Sequence, residues 1–251
     1  SMSGGAEALV LAAADLGPAL PPEIPLAVRR YWEVEDGHLA LRFELENRSG
    51  VLVEIGSLGI PMIFDNILQG RSLEEAHAEA SFHDPYIGSE GGYLQVTRLS
   101  GQGPVLLVVP QGITSFEAYN PLLSERTRRG ITFEGFYEWM AHSRAHAEEE
   151  WADADPWNTP TSRVLAPGES ASYGVRFLLS PEIRAMEATL LENHRPVAVG
   201  VPGYVLPTDI PGSLFLKGRS PVRDIQVEPT GALSFTPAGT TPAGWQRYQV
   251  Q

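Results

Sequence analysis

The sequence predicts a mainly β protein, a large antiparallel β-sandwich with one or two short helices. Short stretches in which apolar and polar residues alternate recur along the chain, and 25 Gly and 21 Pro residues separate them. Hydrophobic residues make up 43% of the 251 residues, which is enough to bury a substantial core. A chain of this length and composition fits one large sandwich or two smaller domains.

Six segments carry the clearest strand patterns. Residues 31–35 and 38–47 flank Asp36-Gly37 and predict a hairpin, and residues 51–55 add a strand. Residues 93–99 and 105–109 predict a second hairpin, and the strand at 170–179 presents apolar side chains at every second position. The apolar side chains expected on one face of this strand are Ala171, Tyr173, Val175, Phe177 and Leu179. Further short strands are predicted at residues 197–201, 204–206, 213–216, 225–228 and 233–235.

One amphipathic helix is predicted to begin at Ser180-Pro181-Glu182, with apolar residues at helical spacing until Pro196. Residues 133–151 are ambiguous, because their aromatic part favours a strand and their Ala- and Glu-rich part favours a helix; we expect a strand.

The predicted organisation has three parts. Residues 1–25 are a tag remnant and a Pro-rich lead-in, and residues 26–180 form the sandwich. Residues 181–251 hold the helix and short strands, which complete the sandwich or link it to downstream sequence.

Charge and composition exclude several classes of function. A net charge of -13 opposes binding to nucleic acid and to anionic membranes, and no stretch approaches the roughly 18 to 20 apolar residues of a membrane span. The absence of Cys excludes disulfides and thiolate chemistry without fixing the compartment. Because neither a nucleophile elbow nor a phosphate-binding Gly motif occurs, we predict no cofactor.

Metal and carboxylate chemistry have weak candidates only. His142 and His146 have helical metal-ligand spacing, but Ser143 stands where a zincin has Glu, and we predict no metal site. Glu134 and Glu138 are weak candidates for the carboxylate pair of a glycosidase, since a chance cluster is the simpler explanation among 31 acidic residues.

Aromatic residues beside polar groups give the most informative pattern. Sugars present apolar C–H faces and rims of hydroxyls, so their sites combine stacking rings with hydrogen-bonding side chains. The candidate ligand-binding residues are Trp157, Asn158, Trp139, Tyr137, Asp84, Tyr86 and Tyr93. For each ring, a place in the sandwich core is the alternative. Trp157 is the best candidate for an exposed functional loop, because Pro156 and Pro160 bracket it.

A series of motifs across residues 50–235 resembles a known family. The motifs are IGSLGIP (55–61), DPYIG (84–88), GYLQVT (92–97), FEGFYEW (133–139), EW (150–151), PWNTPTS (156–162) and PVAVGVPGYV (196–205). In this order they resemble a family of large fungal and bacterial glycosidase-like proteins that contains a domain of unknown function. The resemblance implies a sandwich of the glycosidase super-sandwich type ahead of an (α/α) toroid, with catalytic acids mainly on the toroid and sandwich loops at the rim of the pocket.

Three hypotheses follow from the sequence. The first is a secreted, non-catalytic sandwich domain of a carbohydrate-active enzyme, whose partners are carbohydrate and a downstream catalytic domain of the same polypeptide. The second is a stand-alone carbohydrate-binding or structural module. The third is a small carboxylate-dependent glycosidase or lyase that uses Glu134 or Glu138.

Overall fold

The computed structural model describes residues 8–122, 135–205 and 208–251. The chain forms two compact units, Ser1–Ile183 and Arg184–Gln251.

A seven-stranded antiparallel sheet is the larger layer of the first unit. Its strands are β1 (Leu9–Asp15), β2 (Leu26–Glu35), β3 (His38–Asn47), β6 (Ser81–Tyr86), β7 (Tyr93–Arg98), β8 (Val105–Gly112) and β12 (Ser170–Ser180). They lie in the order β1-β2-β3-β12-β8-β7-β6. Both predicted hairpins are confirmed: at the turn between β2 and β3, Asp36 and Gly37 have φ angles of 50° and 79°, as a tight hairpin turn requires.

The second layer consists of two small sheets. Strands β5 (Leu58–Met62), β10 (Tyr137–His142) and β9 (Ala118–Pro121) form one in the order β5-β10-β9, and β4 (Val53–Ile55) pairs with β11 (Arg163–Leu165) in the other. Trp139 and Phe116 are stacked with ring centroids 3.7 Å apart and pack against Leu41, Leu94 and Val108 of the large sheet. These contacts confirm the sandwich, since apolar side chains from both layers form one core.

Asn47 joins the end of β3 to the second layer. Its Nδ2 donates to the carbonyls of Val51, at 2.8 Å, and Leu165, at 2.9 Å, and its Oδ1 accepts from Ser49 N at 2.9 Å. The side chain is fully buried, so its hydrogen bonds replace those that water would make.

Three α-helices occur in the described residues, where one or two were predicted. They are α1 (Leu73–Glu79), α2 (Arg144–Glu148) and α3 (Met186–Glu192). The missed helix, α1, begins with a capping box between Ser72 and Glu75. No helix in the described part of the chain has the length and hydrophobicity needed to cross a bilayer.

The predicted helix start at Ser180 is wrong. Strand β12 continues to Ser180, which pairs with Val105, and a short 3-10 turn over Ile183–Ala185 precedes α3. The ambiguous segment contains both structures, β10 and then α2, while residues 133 and 134 lie outside the described residues.

Strand β1 lies within the predicted lead-in and pairs with β2 at the sheet edge. The sequence gives no alternating pattern there, and successive side chains on both faces are exposed, among them Leu9 and Val10.

The second unit contains α3 and a four-stranded sheet in the order β13-β14-β16-β15. The strands are β13 (Val197–Val201), β14 (Gly212–Lys217), β15 (Phe235–Thr240) and β16 (Gln246–Val250). The predictions at 197–201 and 213–216 are confirmed. Residues 204, 205 and 225–228 are not in strands, Leu206 lies outside the described residues, the strand predicted at 233–235 begins only at Phe235, and β16 was missed.

Candidate binding cleft

A cleft of about 400 Å³ lies in the first unit, beside β9 and the segment that follows α2. Its walls come from the end of β6, from β9 and from residues 143–158. The lining residues are Ile87, Glu117, Ala118, Tyr119, Asn120, Pro121, Ser143, Ala147, Trp151, Ala154, Asp155, Pro156, Trp157 and Asn158. A cleft of this size with an apolar lining and a few polar groups is typical of a small-ligand site.

Trp157 lies at the cleft with its indole 79% exposed to solvent. The backbone around Trp157 is restricted, because Pro156 has a fixed φ and the next residue is anchored. Asn158 provides that anchor: its Nδ2 donates to Glu117 O at 3.0 Å, and its Oδ1 accepts from Ser89 Oγ at 3.0 Å. Asn158 therefore positions the loop through bonds within the protein.

Trp151 forms a second aromatic wall. Its ring lies 4.8 Å from that of His146, whose Nδ1 is 3.0 Å from Ser57 Oγ. Helix α2 thus sets the position of this half-buried indole. The sequence pattern marked Trp151 as an aromatic residue near polar groups, but it was not among the candidate ligand-binding residues, because a single Trp after a Glu-rich run gives no sign of the surface it faces.

Glu117 is a buried carboxylate beneath the cleft. It accepts hydrogen bonds from Ser143 Oγ at 2.7 Å, from Thr161 N at 3.0 Å and from the Thr161 hydroxyl. Only 4% of the residue is exposed, so these donors replace the hydrogen bonds that water would make to its oxygens.

A hydrogen-bonded row continues from Thr161 into the core. His142 Nδ1 lies 2.7 Å from Thr161 Oγ1, and His142 Nε2 lies 2.8 Å from the Tyr173 hydroxyl. Because the Thr161 hydroxyl donates to Glu117, Nδ1 carries the hydrogen and Nε2 accepts from Tyr173. Burial lowers the pKa of His142 and raises that of Tyr173 to about 12, so both groups are neutral at pH 7.

Asn120 and Glu138 form a polar pair on the outward face of the three-stranded sheet. They are directly opposite in the β9–β10 register, and Asn120 Nδ2 donates to Glu138 Oε1 at 2.8 Å. Asn120 lines the cleft, whereas Glu138 does not line it and contacts it through Asn120. The other weak catalytic candidate, Glu134, lies outside the described residues.

Two comparisons with known proteins found matches. A family model described as "Family of unknown function (DUF5695)" matches residues 2–251. The chain belongs to the DUF5695 family. This confirms the expected resemblance to a family with a domain of unknown function.

No curated protein matches the chain. A solved structure titled "Polysaccharide Lyase BACCELL_00875" is similar in fold, with 14% sequence identity and a TM-score of 0.61. The match covers 91% of the DUF5695 chain and 30% of the lyase chain, so this chain spans less than a third of that protein's length.

Two sequence-selected rings of this DUF5695 chain face the core. Trp139 has no exposed surface and donates from Nε1 to Ser115 O at 2.6 Å, so it stabilises the sandwich instead of presenting a face to a ligand. Tyr137 stacks on the cleft residue Tyr119 with centroids 4.9 Å apart. Tyr137 therefore packs against Tyr119 and does not itself line the cleft.

The other three candidates lie together on the β6–β7 hairpin. Tyr86 and Tyr93 are register partners whose rings stack 4.5 Å apart, and Asp84 is opposite Gln95. By strand alternation they share the face opposite to the core residues Leu94 and Val96. None of the three lines the cleft.

The two histidines with metal-ligand spacing belong to separate hydrogen-bonded groups, His142 with Thr161 and His146 with Ser57. Within residues 8–122, 135–205 and 208–251, no three His, Asp or Glu side chains are grouped closely enough to hold a metal ion.

Proposed function

We propose that this chain is the β-sandwich domain of a secreted, carbohydrate-active protein and that it binds sugar in the cleft without supplying the catalytic groups. The exposed indole of Trp157 carries the proposal. An indole that is 79% exposed beside a cleft offers a flat apolar face, which is the surface that packs on the C–H face of a pyranose ring.

Polar side chains near Trp151 and Trp157 can hydrogen-bond the hydroxyls at the edge of a sugar ring. Asn120 and Asp155 line the cleft, and the described residues provide Asp155 with no hydrogen-bond partner. Their free oxygens are available to accept hydrogen bonds from hydroxyls. A half-buried indole at Trp151 and an exposed one at Trp157 supply the apolar contacts.

Glu117 supports a binding role over a catalytic one. It is the buried carboxylate of the cleft, and hydrogen bonds from Thr161 and Ser143 occupy both of its oxygens. A general acid or base needs an oxygen free to exchange a proton with the substrate. The similar lyase chain is more than three times as long as the matched part, which agrees with a further catalytic domain in the same polypeptide.

The test is titration of the chain with cellotetraose, xylotetraose, mannotetraose and trigalacturonate, followed by calorimetry and Trp fluorescence. We expect at least one oligosaccharide to bind and Trp157→Ala to weaken that binding about tenfold, since stacking on an aromatic ring contributes about 1 kcal/mol or more. The matched control is Tyr204→Ala, because Tyr204 is 65% exposed but does not line the cleft. Failure of all four sugars to bind would refute the proposal.

The position of Glu138 beside the cleft supports one alternative, a small carboxylate-dependent glycosidase or lyase. The same sugars incubated with the wild-type chain distinguish the two functions, with new reducing ends and absorbance of unsaturated products as readouts. Turnover that disappears in Glu138→Gln would favour the enzyme, whereas binding without turnover favours the binding domain.

A further inference from the structure

We propose that Asn120 is the residue that accepts a hydrogen bond from a sugar hydroxyl, and that Glu138 is the positioning residue that fixes the direction of its amide. This inference rests on the proposed function and names the specificity of the same cleft. It follows from three neighbouring strands, β9, β10 and β5, each of which contributes one residue: Asn120, Glu138 and Gly59.

The direction of the Asn120 amide is set by its neighbour. A carboxylate can only accept hydrogen bonds, so the NH₂ group must face Glu138 Oε1, at 2.8 Å. The Oδ1 atom then points away from Glu138, and no group in the described residues donates to it. Since Asn120 lines the cleft, this oxygen is a ready acceptor for a ligand.

Gly59 makes room for the positioning carboxylate. A Cβ atom at residue 59 would overlap the Glu138 carboxylate and lie 3.1 Å from Glu138 Cγ. The Glu138 carboxylate therefore occupies the space beside Gly59 of β5 that a side chain would fill. From this position it accepts the hydrogen bond from Asn120 of β9, the strand on the other edge of β10. A side chain at residue 59 would push it out of that position.

A fixed acceptor selects the chemistry of the ligand. A sugar bearing an unsubstituted hydroxyl at this point gains a hydrogen bond, because a hydroxyl is a donor. A methyl ether or a carboxylate at this point has no hydrogen to donate, so its oxygen would face Asn120 Oδ1 without a hydrogen bond. The cleft accordingly takes neutral sugars with a free hydroxyl at this position and discriminates against O-methylated or uronate forms.

The experiment measures the affinity of the full chain for cellotetraose, xylotetraose, mannotetraose and trigalacturonate. We expect Asn120→Ala to lower the affinity for the neutral sugar that binds about fivefold, since a hydrogen bond to the ligand contributes about 1 kcal/mol. Glu138→Lys should lower the preference for neutral sugars over trigalacturonate about fivefold, because an ammonium donor turns the amide and presents NH₂, which donates to a carboxylate. The matched control is Glu148→Lys, which makes the same charge change at an exposed residue that does not line the cleft.

The double variant N120D/E138K provides the rescue. The ammonium group introduced by E138K would donate to one oxygen of the carboxylate introduced by N120D and leave the other oxygen facing the cleft. The preference for neutral sugars over trigalacturonate should then return to within about threefold of wild type. A second readout needs no ligand: the side-chain amide resonances of Asn120 in a ¹⁵N NMR spectrum should shift in Glu138→Lys.

The outcomes separate the inference from the proposed function. No binding of any sugar by the wild-type chain overturns both. Binding that weakens in Trp157→Ala but not in Asn120→Ala overturns the inference alone. A preference for neutral sugars in Glu138→Lys that equals that of the Glu148→Lys control, a double variant with the same preference as Glu138→Lys, or unchanged Asn120 amide resonances also overturns it.

Discussion

Tyr173 ends the row of buried polar side chains that begins at Glu117 under the cleft. Each side chain in the row is hydrogen-bonded to the next one, from Glu117 through Thr161 and His142 to Tyr173. The row therefore supports the floor of the cleft. Such a row remains intact only while each group keeps the protonation state that its neighbour requires.

Alkaline pH should therefore destabilise the protein through Tyr173. Its pKa is raised to about 12 in the folded state from an ordinary 10.0, because burial disfavours the phenolate. Above pH 10 the unfolded chain releases this proton and the folded chain keeps it, so stability is complete below pH 10 and falls as pH rises towards 12. Tyr173→Phe should show a smaller alkaline loss in urea unfolding at about pH 8.5 and about pH 11. An equal loss in both proteins would contradict this origin.

Gly59→Ala tests whether the space beside Gly59 on β5 positions the Glu138 carboxylate. The new Cβ displaces only the end of the flexible Glu138 side chain, so we expect the free energy of unfolding to change by less than about 1 kcal/mol. The preference for neutral sugars over trigalacturonate should fall, because the displaced carboxylate no longer fixes the direction of the Asn120 amide. Thermal unfolding and titration of one preparation give both values, and a large loss of stability with unchanged binding would contradict the prediction.

Single residues were predictable where the chain itself restricts them. Pro156 and Pro160 indicated an exposed loop around Trp157, and the structure has an exposed indole there. Tyr137 and Trp139 face inward together because residues two apart in a strand share a face. Asn120 could not be identified, because its role depends on a register with Glu138 that local sequence does not specify.

Elements were predictable where one face is buried. Strand β12 was predictable because Ala171, Tyr173 and Val175 are buried where the large sheet packs on the second layer. The expectation that Leu179 shares this face is wrong, since Leu179 is 68% exposed and Leu178 is buried. Strand β1 is mostly exposed along its length and gives no pattern. Helix α1 was missed although its capping-box residues are local, because seven residues are too few for a periodic pattern.

Asn47 is the element-scale joint between β3 and the second layer. Asn47→Asp keeps the shape but cannot donate to the Val51 and Leu165 carbonyls, and it buries a carboxylate beside them. We expect a loss of about 3 kcal/mol in the free energy of unfolding, measured with urea. Ser49→Ala, which removes one hydroxyl bond to Asn47, should cost about 1 kcal/mol or less. Equal costs for the two variants would show that Asn47 is not the joint.

At the scale of the whole molecule, strand order was beyond prediction. Strand β12 lies between β3 and β8, and that placement depends on contacts between segments far apart in sequence. The mainly β class was predictable because composition and turn frequency report it without any knowledge of the order.

Net charge acts at the same scale. With a charge of -13, the chain should repel polyanions, so we expect no mobility shift of double-stranded DNA and no association with phosphatidylserine vesicles at low salt. Retention that weakens as salt is added would indicate a local basic surface strong enough to override the net charge.

The burial of Asn47 also determines whether the folded chain can carry an N-linked glycan at this residue. Asn47-Arg48-Ser49 is an acceptor triplet for N-linked glycosylation, which attaches a glycan to Nδ2. Both hydrogens of that nitrogen are used, towards Val51 O and Leu165 O, in a site with no exposed surface. A glycan at Asn47 is incompatible with the folded sandwich, so intact mass measurement of protein secreted from eukaryotic cells should find folded chains without it. Any chain that carries the glycan was modified before β3 and β11 came together.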